Sequence, residues 1–280
     1  MLFVLHNKYI YLNCATNVRY SMQKIRDITI TIVQPNLIWE EVNTNLRNLE
    51  KLINSITETD LIILPEMFNT SFSLKTTLAE EMEGQSVNWL KKIALKKNTA
   101  ICGSLSIKDG VDYYNRLIWI TQTGKLFYYD KKHLFSLSKE DKCFSPGKKR
   151  LVVELNGWKI CPFICYDLRF PAWCRYKGDY DCLIFIASWP AKRINAWQNL
   201  IKARAIENMS YVIGVNRVGL DGNMVSFNGR SCLIDPLGKD CFTANEQVLV
   251  KNISLSRYNL QKSRKLYGFL NDRDNFQFIS

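Results

Sequence analysis

Histidine is scarce in this chain, with two imidazoles in 280 residues, His6 and His133. A hydrolase of the Cys–His or Ser–His kind passes its nucleophile's proton to an imidazole. That route is nearly closed here, because His6 lies in an N-terminal preface and His133 stands alone. The nine cysteines, at 14, 102, 143, 161, 165, 174, 182, 232 and 241, include no CxxC pair and accompany no histidine cluster, which argues against a zinc site. No glycine-rich loop cradles phosphates, so neither a metal nor an organic cofactor is expected. No apolar run reaches membrane-spanning length, and no Ser/Gly/Pro-rich stretch or internal repeat divides the chain. The opening MLFVL breaks off at His6, Asn7 and Lys8, too brief for a span and poorly shaped as a secretory signal. We read 1–21 as an extension of unassigned role with Met22 as an alternative start, and 22–280 as one domain. The expected compartment is a reducing cytoplasm, where cysteines inside apolar runs such as WKICPFIC and DCLIFIA act as small hydrophobes.

What is present describes a globular protein: 47% hydrophobic and 23% charged residues. The net charge of +12, from 38 Lys+Arg against 26 Asp+Glu, is dispersed. Its densest places are Lys91, Lys92, Lys96 and Lys97, then Lys148, Lys149 and Arg150, then Lys262, Arg264 and Lys265. Such pairs read as solvated faces, not as the single stripe of a nucleic-acid footprint, so neither nucleic acid nor membrane is an expected partner. A small anionic substrate fits the charge.

From Asp27 the chain alternates β-rich runs with amphipathic ones. ITITIVQ, DLIILPE, TAICGSLSI, YNRLIWI, KLFYYDK, WKICPFIC, DCLIFIASW and SYVIGVNRV read as strands. Asn43–Thr57, Val87–Lys97 and NAWQNLIKARAIENM read as helices, and GRSCLIDPLGK as a strand and turn. This pattern implies a layered α/β architecture. Reactive groups in such folds gather where strands end and loops begin. Glu66 closes LIILPE, Lys131 closes KLFYYDK and Cys165 closes KICPFIC. Each has an ordinary reading as loop glutamate, exposed lysine or core thiol. Together they have the chemistry that replaces histidine: a desolvated carboxylate to take a thiol proton and an ammonium to hold developing negative charge.

LPEMF around Glu66, YDKKHLF around Lys131 and CYDLRFP around Cys165 resemble, in order, the three signatures of the nitrilase superfamily of carbon–nitrogen hydrolases. SPG at 145–147, ASWPAKR at 187–193 and ARAIENMSYVIGVNRVG at 203–219 extend the likeness over roughly residues 27–275. The resemblance implies a four-layer α-β-β-α sandwich that commonly pairs into homodimers. It makes Cys165 the nucleophile, Glu66 the general base and Lys131 the cation at the tetrahedral intermediate. It places Glu140 beside the lysine as a second glutamate, and the backbone N–H of Tyr166 with Lys131 in the oxyanion hole. Within the superfamily the likeness is nearest to the omega-amidases, which hydrolyse the terminal amide of small 2-oxo dicarboxylic acid monoamides such as 2-oxoglutaramate and 2-oxosuccinamate. A substrate of that class needs a cation for its carboxylate, for which Arg193 and Arg169 are candidates, Arg169 having the alternative of bracing its turn through Asp167. It also needs a fitted wall, for which Phe72, Phe135 and Trp189 are candidates. Asn195-Ala196-Trp197 departs from the nearest relatives in lacking a histidine before the tryptophan, which bears on substrate choice and not on the three reactive residues. The alternatives are another amidohydrolase of the superfamily, acting on N-carbamoyl amino acids or another small amide, or a basic binding protein without catalysis.

Overall fold

A computed structural model describes residues 26–278. In chain order the elements are β1 (Ile28–Gln34), α1 (Val42–Asn54), β2 (Leu61–Ile63), α2 (Gln85–Lys97), β3 (Ala100–Asp109), β4 (Asp112–Ile120) and β5 (Leu126–Asp130). They continue with α3 (Glu140–Cys143), β6 (Val153–Leu155), β7 (Trp158–Ile164), α4 (Pro171–Cys174), β8 (Cys182–Ile186), α5 (Ile194–Asn208) and β9 (Tyr211–Val215). The last are β10 (Val218–Leu220), β11 (Ser226–Asn228), β12 (Cys232–Ile234), β13 (Asp240–Thr243), β14 (Leu249–Leu255) and α6 (Arg257–Tyr267).

Two six-stranded sheets result, ordered β14-β1-β2-β3-β4-β5 and β13-β12-β9-β8-β7-β6, with β10 and β11 paired separately. Each has three parallel strands at its centre, β1-β2-β3 and β7-β8-β9, flanked by antiparallel ones. Parallel strands are covered on both faces, which is why β2 and β8 are continuously apolar and even the Thr31, Gln34, Ser104 and Ser106 side chains of β1 and β3 are buried. Period-two alternation then sorts their side chains: Ile28, Ile30, Ile32, Leu61 and Ile63 enter the core shared with the second sheet. Val33, Ile62, Ile101, Ile118 and Ile120 face the other way, onto Leu46, Leu49 and Ile53 of α1 and Leu90 and Ile93 of α2. Trp197, Ile201 and Ala205 of α5 pack on the second sheet. The order of layers is helix, sheet, sheet, helix, as the resemblance implies.

Three segments differ from the sequence reading. The first helix stops at Asn54, because Ile56 turns into the core and Lys97 donates to the carbonyls of Asn54 and Ile56. SYVIGVNRV divides: β9 ends at Val215, Asn216 and Arg217 leave the sheet, and β10 starts at Val218. β14 and α6, unmarked by any apolar run, add the edge strand on β1 and a helix anchored by buried Leu260. The eight described cysteines are free thiols; Cys102, Cys161, Cys174, Cys182 and Cys232 are buried, as the apolar runs predict. Cys14, His6 and Met22 lie outside the described residues.

Candidate active site

The three strand ends converge. Glu66 follows β2, Lys131 follows β5 and Cys165 follows β7, so both sheets contribute. Cys165 takes a left-handed backbone, φ 44°, which a β-carbon disfavours. This sharp turn stops β7 and starts a 3-10 helix, Cys165–Arg169, whose first amides have no intrahelical acceptor. Asp167 pins the turn: its carboxylate accepts from the N–H of Ile164 (3.1 Å), the hydroxyl of Tyr129 (2.8 Å) and the N–H of His133 (3.0 Å). His133 adds its Nδ1 at 2.8 Å and stacks on Phe170 at 3.7 Å, so the one described histidine serves the turn and does not line the pocket.

Lys131 is held on both sides of its peptide. Its N–H donates to the carbonyl of Asn115 (3.0 Å), and its own carbonyl accepts from Gly147 N–H (2.9 Å). Gly147 is glycine for space, since a β-carbon there would sit 2.0 Å from the carbonyl oxygen of Asp130. The ammonium, fully buried, lies 2.8 Å from Glu66 Oε1 and 3.0 and 2.9 Å from Glu140 Oε1 and Oε2. Burial by itself would lower its pKa; Glu140 and then Glu66 more than reverse that, so the pKa stands above the ordinary lysine value. Glu140 is raised by burial and by Glu66, against the opposing pull of Lys131. The Cys165 thiol is raised well above its usual value by burial and by the facing Glu66 carboxylate, with Lys131 opposing.

Glu66 is tied further. Its Oε1 accepts from Asn115 Nδ2 (2.9 Å) and its Oε2 from the N–H of Ser188 (2.8 Å), just past the end of β8. Asn115 and Ser188 are the site residues that the sequence did not disclose. Asn115 sits inside YNRLIWI, where an asparagine looks like a residue on the polar face of a strand.

The three residues open on a cavity of about 410 Å³. Phe72, Phe135, Tyr166, Arg169, Trp189 and Arg193, all anticipated, line it; Glu140 stands behind Lys131. Trp39, Glu40, Lys75, Asp221 and Val225 from loops, and Phe227 of β11, segments that carry no motif, add to the wall. Glu40 is spoken for by Lys75 (3.3 Å) and Ser73 (2.7 Å), and Asp221 by the N–H groups of Asn223 and Val225 (2.8 and 2.9 Å). Arg169 and Arg193 have no carboxylate partner among the described residues. They lie over aromatic rings, Arg169 over Trp189 and Arg193 over Phe135, each at 5.1 Å. Asp167, saturated by other donors, does not hold Arg169. Among the described residues no group of three or more His, Cys, Asp and Glu could hold a metal ion, and no helix is long and apolar enough to cross a membrane.

The family model described as carbon-nitrogen hydrolase matches residues 29–262. The chain belongs to the carbon–nitrogen hydrolase family. This hydrolase is 38% identical over 251 residues to omega-amidase YafV of Escherichia coli K12, covering 89% of this chain and 98% of the relative. It is 34% identical over 219 residues to a 2-oxoglutaramate amidase of Bacillus subtilis, covering 75% and 84%. Its fold matches a CN-hydrolase superfamily protein of Xanthomonas campestris, solved with an arsenic adduct in the active site. The TM-score is 0.88 at 38% identity over 90% of this chain and 99% of that one. The nitrilase-type sandwich and amide hydrolysis are therefore properties of this enzyme.

Proposed function

We infer that this hydrolase is an omega-amidase, cleaving the terminal amide of small 2-oxo dicarboxylic acid monoamides through a Cys165 thioester. The observation that carries the reading is the meeting of Glu66, Lys131 and Cys165 around one cavity in which Arg169 and Arg193 are cations without a carboxylate partner among the described residues. The matching omega-amidase and 2-oxoglutaramate amidase sequences support the substrate class.

In the acylation half, Glu66 takes the Cys165 proton as sulfur attacks the amide carbon. The oxyanion forms against Lys131 Nζ and the Tyr166 N–H, donors fixed before reaction and so worth several kcal/mol of barrier, about 3 each by analogy with a single oxyanion donor. Collapse expels ammonia on the proton that Glu66 carried, leaving the thioester. In the second half Glu66 deprotonates water, water attacks, and the thiol leaves with its proton restored. Glu140 keeps Lys131 charged and aimed. The carboxylate of the substrate pairs with Arg169 or Arg193, whose planar forks suit it, against the wall of Phe72, Phe135 and Trp189.

A panel of 2-oxoglutaramate, 2-oxosuccinamate, plain aliphatic amides and N-carbamoyl amino acids, read by ammonia release, tests the assignment. Fastest turnover of the 2-oxo compounds is expected; a preference for carbamoyl acids would move the enzyme to the alternative amidohydrolase. We also propose a homodimer, supported by exposed Tyr258, Leu266, Tyr267 and Phe269 on and after α6, with light scattering as its check. The free thiols support a reducing compartment.

A further inference from the structure

We propose that Asn115 is a positioning residue that decides which oxygen of Glu66 receives the thiol proton. This rests on the reading of Cys165 as nucleophile and Glu66 as base.

Asn115 is 1% exposed, in the interior of β4, and its backbone carbonyl already anchors Lys131. Its side-chain nitrogen has two hydrogens, and both are used: one toward Glu66 Oε1 at 2.9 Å, one toward Glu140 Oε1 at 3.1 Å. The reverse orientation would set an amide oxygen against two carboxylates, so the network itself fixes the amide. Its Oδ1 finds no donor among the described residues, an arrangement buried amides ordinarily avoid. The amide is placed for its nitrogen.

An ionised carboxylate offers about four acceptor positions, two on each oxygen. On Glu66, Lys131 and Asn115 occupy both positions of Oε1, and Ser188 N–H occupies one of Oε2. The remaining acceptor is on Oε2. The proton leaving Cys165 therefore lands there: the S–H bond breaks, an O–H bond forms on Oε2, and the thiolate charge is left facing Lys131. Without Asn115, Oε1 gains an open position and Glu66 can take the proton on the side turned toward Lys131. Asn115 also ties the two glutamates into one register on a single ammonium. The charged and titratable groups facing Glu66 are Lys131, Glu140 and Cys165.

The test uses the full chain with Asn115→Leu, Asn115→Ser and Asn115→Asp, each melted by circular dichroism, and Cys165→Ala as control. Ammonia release from the best amide of the panel is followed across roughly pH 5 to 10. Cys165 alkylation by iodoacetamide, which follows the thiolate and needs no substrate, is followed over the same range. For Asn115→Leu, kcat is expected to fall about 10- to 100-fold with KM within about threefold, from loss of a hydrogen bond to a charged group. The acid limb of kcat/KM is expected to move to higher pH, because losing a hydrogen-bond donor favours the neutral form of a carboxylate. Should the leucine variant not fold, Asn115→Ser reads the same change with less bulk. Asn115→Asp adds a third carboxylate and is expected to recover activity toward acid pH, where it protonates and donates once. Wild-type kcat and an unmoved pH limb in a folded Leu or Ser variant overturn the inference. An active Cys165→Ala enzyme overturns instead the reading beneath it.

Discussion

Replacing Glu140 with glutamine tests the electrostatics of the site most directly. The side chain keeps its shape and an oxygen for the Phe135 N–H, bonded at 2.6 Å, but the charge is gone. Lys131 Nζ then loses the partner that raises its pKa most and keeps Glu66 at 2.8 Å. Unit charges about 4 Å apart at an effective dielectric of about 20 interact by about 4 kcal/mol; relaxation of the cavity reduces this, and the Lys131 pKa is expected to fall. Lys131 must be protonated to hold the oxyanion, so activity is lost as pH rises through its pKa. Lowering that pKa brings the alkaline limb of the profile down. Glu140 also raises the Cys165 thiol, by a smaller contribution, so its removal moves thiol ionisation toward acid pH as well. Both shifts have one sign. Ammonia release measured over roughly pH 6 to 11, with iodoacetamide alkylation of Cys165 alongside, reads them separately. An alkaline limb that stays where the unaltered enzyme has it, or moves upward, would refute the account of Lys131 as an ammonium held charged by two carboxylates.

Cys165→Ala is expected to abolish turnover and Cys165→Ser to leave little, since a hydroxyl is a poor nucleophile for a carboxylate base; near-normal ammonia release from either would reject the thioester. Lys131→Ala should lower kcat far more than it raises KM. It also leaves two buried carboxylates without their cation, so its thermal midpoint should fall, consistent with a loss of about 3–5 kcal/mol. Arg169→Ala or Arg193→Ala, whichever residue meets the substrate carboxylate, should raise KM for 2-oxo monoamides about 10- to 100-fold and leave neutral amides unchanged. Equal effects on both classes would assign that arginine to the wall. Gly147→Ala drives a β-carbon into the Asp130 carbonyl and should displace Lys131; kcat is expected to drop along with the melting temperature.

The central strands, and with them the candidates Glu66 and Cys165, were legible because buried parallel strands are written as nearly continuous apolar runs whose ends stand out. LII of β2 and ICPFI of β7 are such runs, and Glu66 and Cys165 follow them; Lys131 instead follows β5, an antiparallel edge strand that is mostly part-buried. The short β6, β10, β11 and β13 and the edge strand β14 were not legible, because a strand with one exposed side, such as LVKNISL, mixes polar and apolar residues as a loop does.

The sequence alone determined the chemistry: a thiol, a carboxylate and an ammonium at three strand ends, with one imidazole near enough in sequence to be considered and no metal-ligand spacing. The tertiary structure decided everything that depends on distance between remote segments. It sent His133 to Asp167 and Asn115 to two glutamates 49 and 25 residues away. It paired Glu40 with Lys75 and tied Asp221 to two backbone N–H groups while leaving Arg169 and Arg193 open to the cavity. Composition and periodicity report which face of an element is buried. Which polar groups meet there is fixed only when the two sheets close over one another.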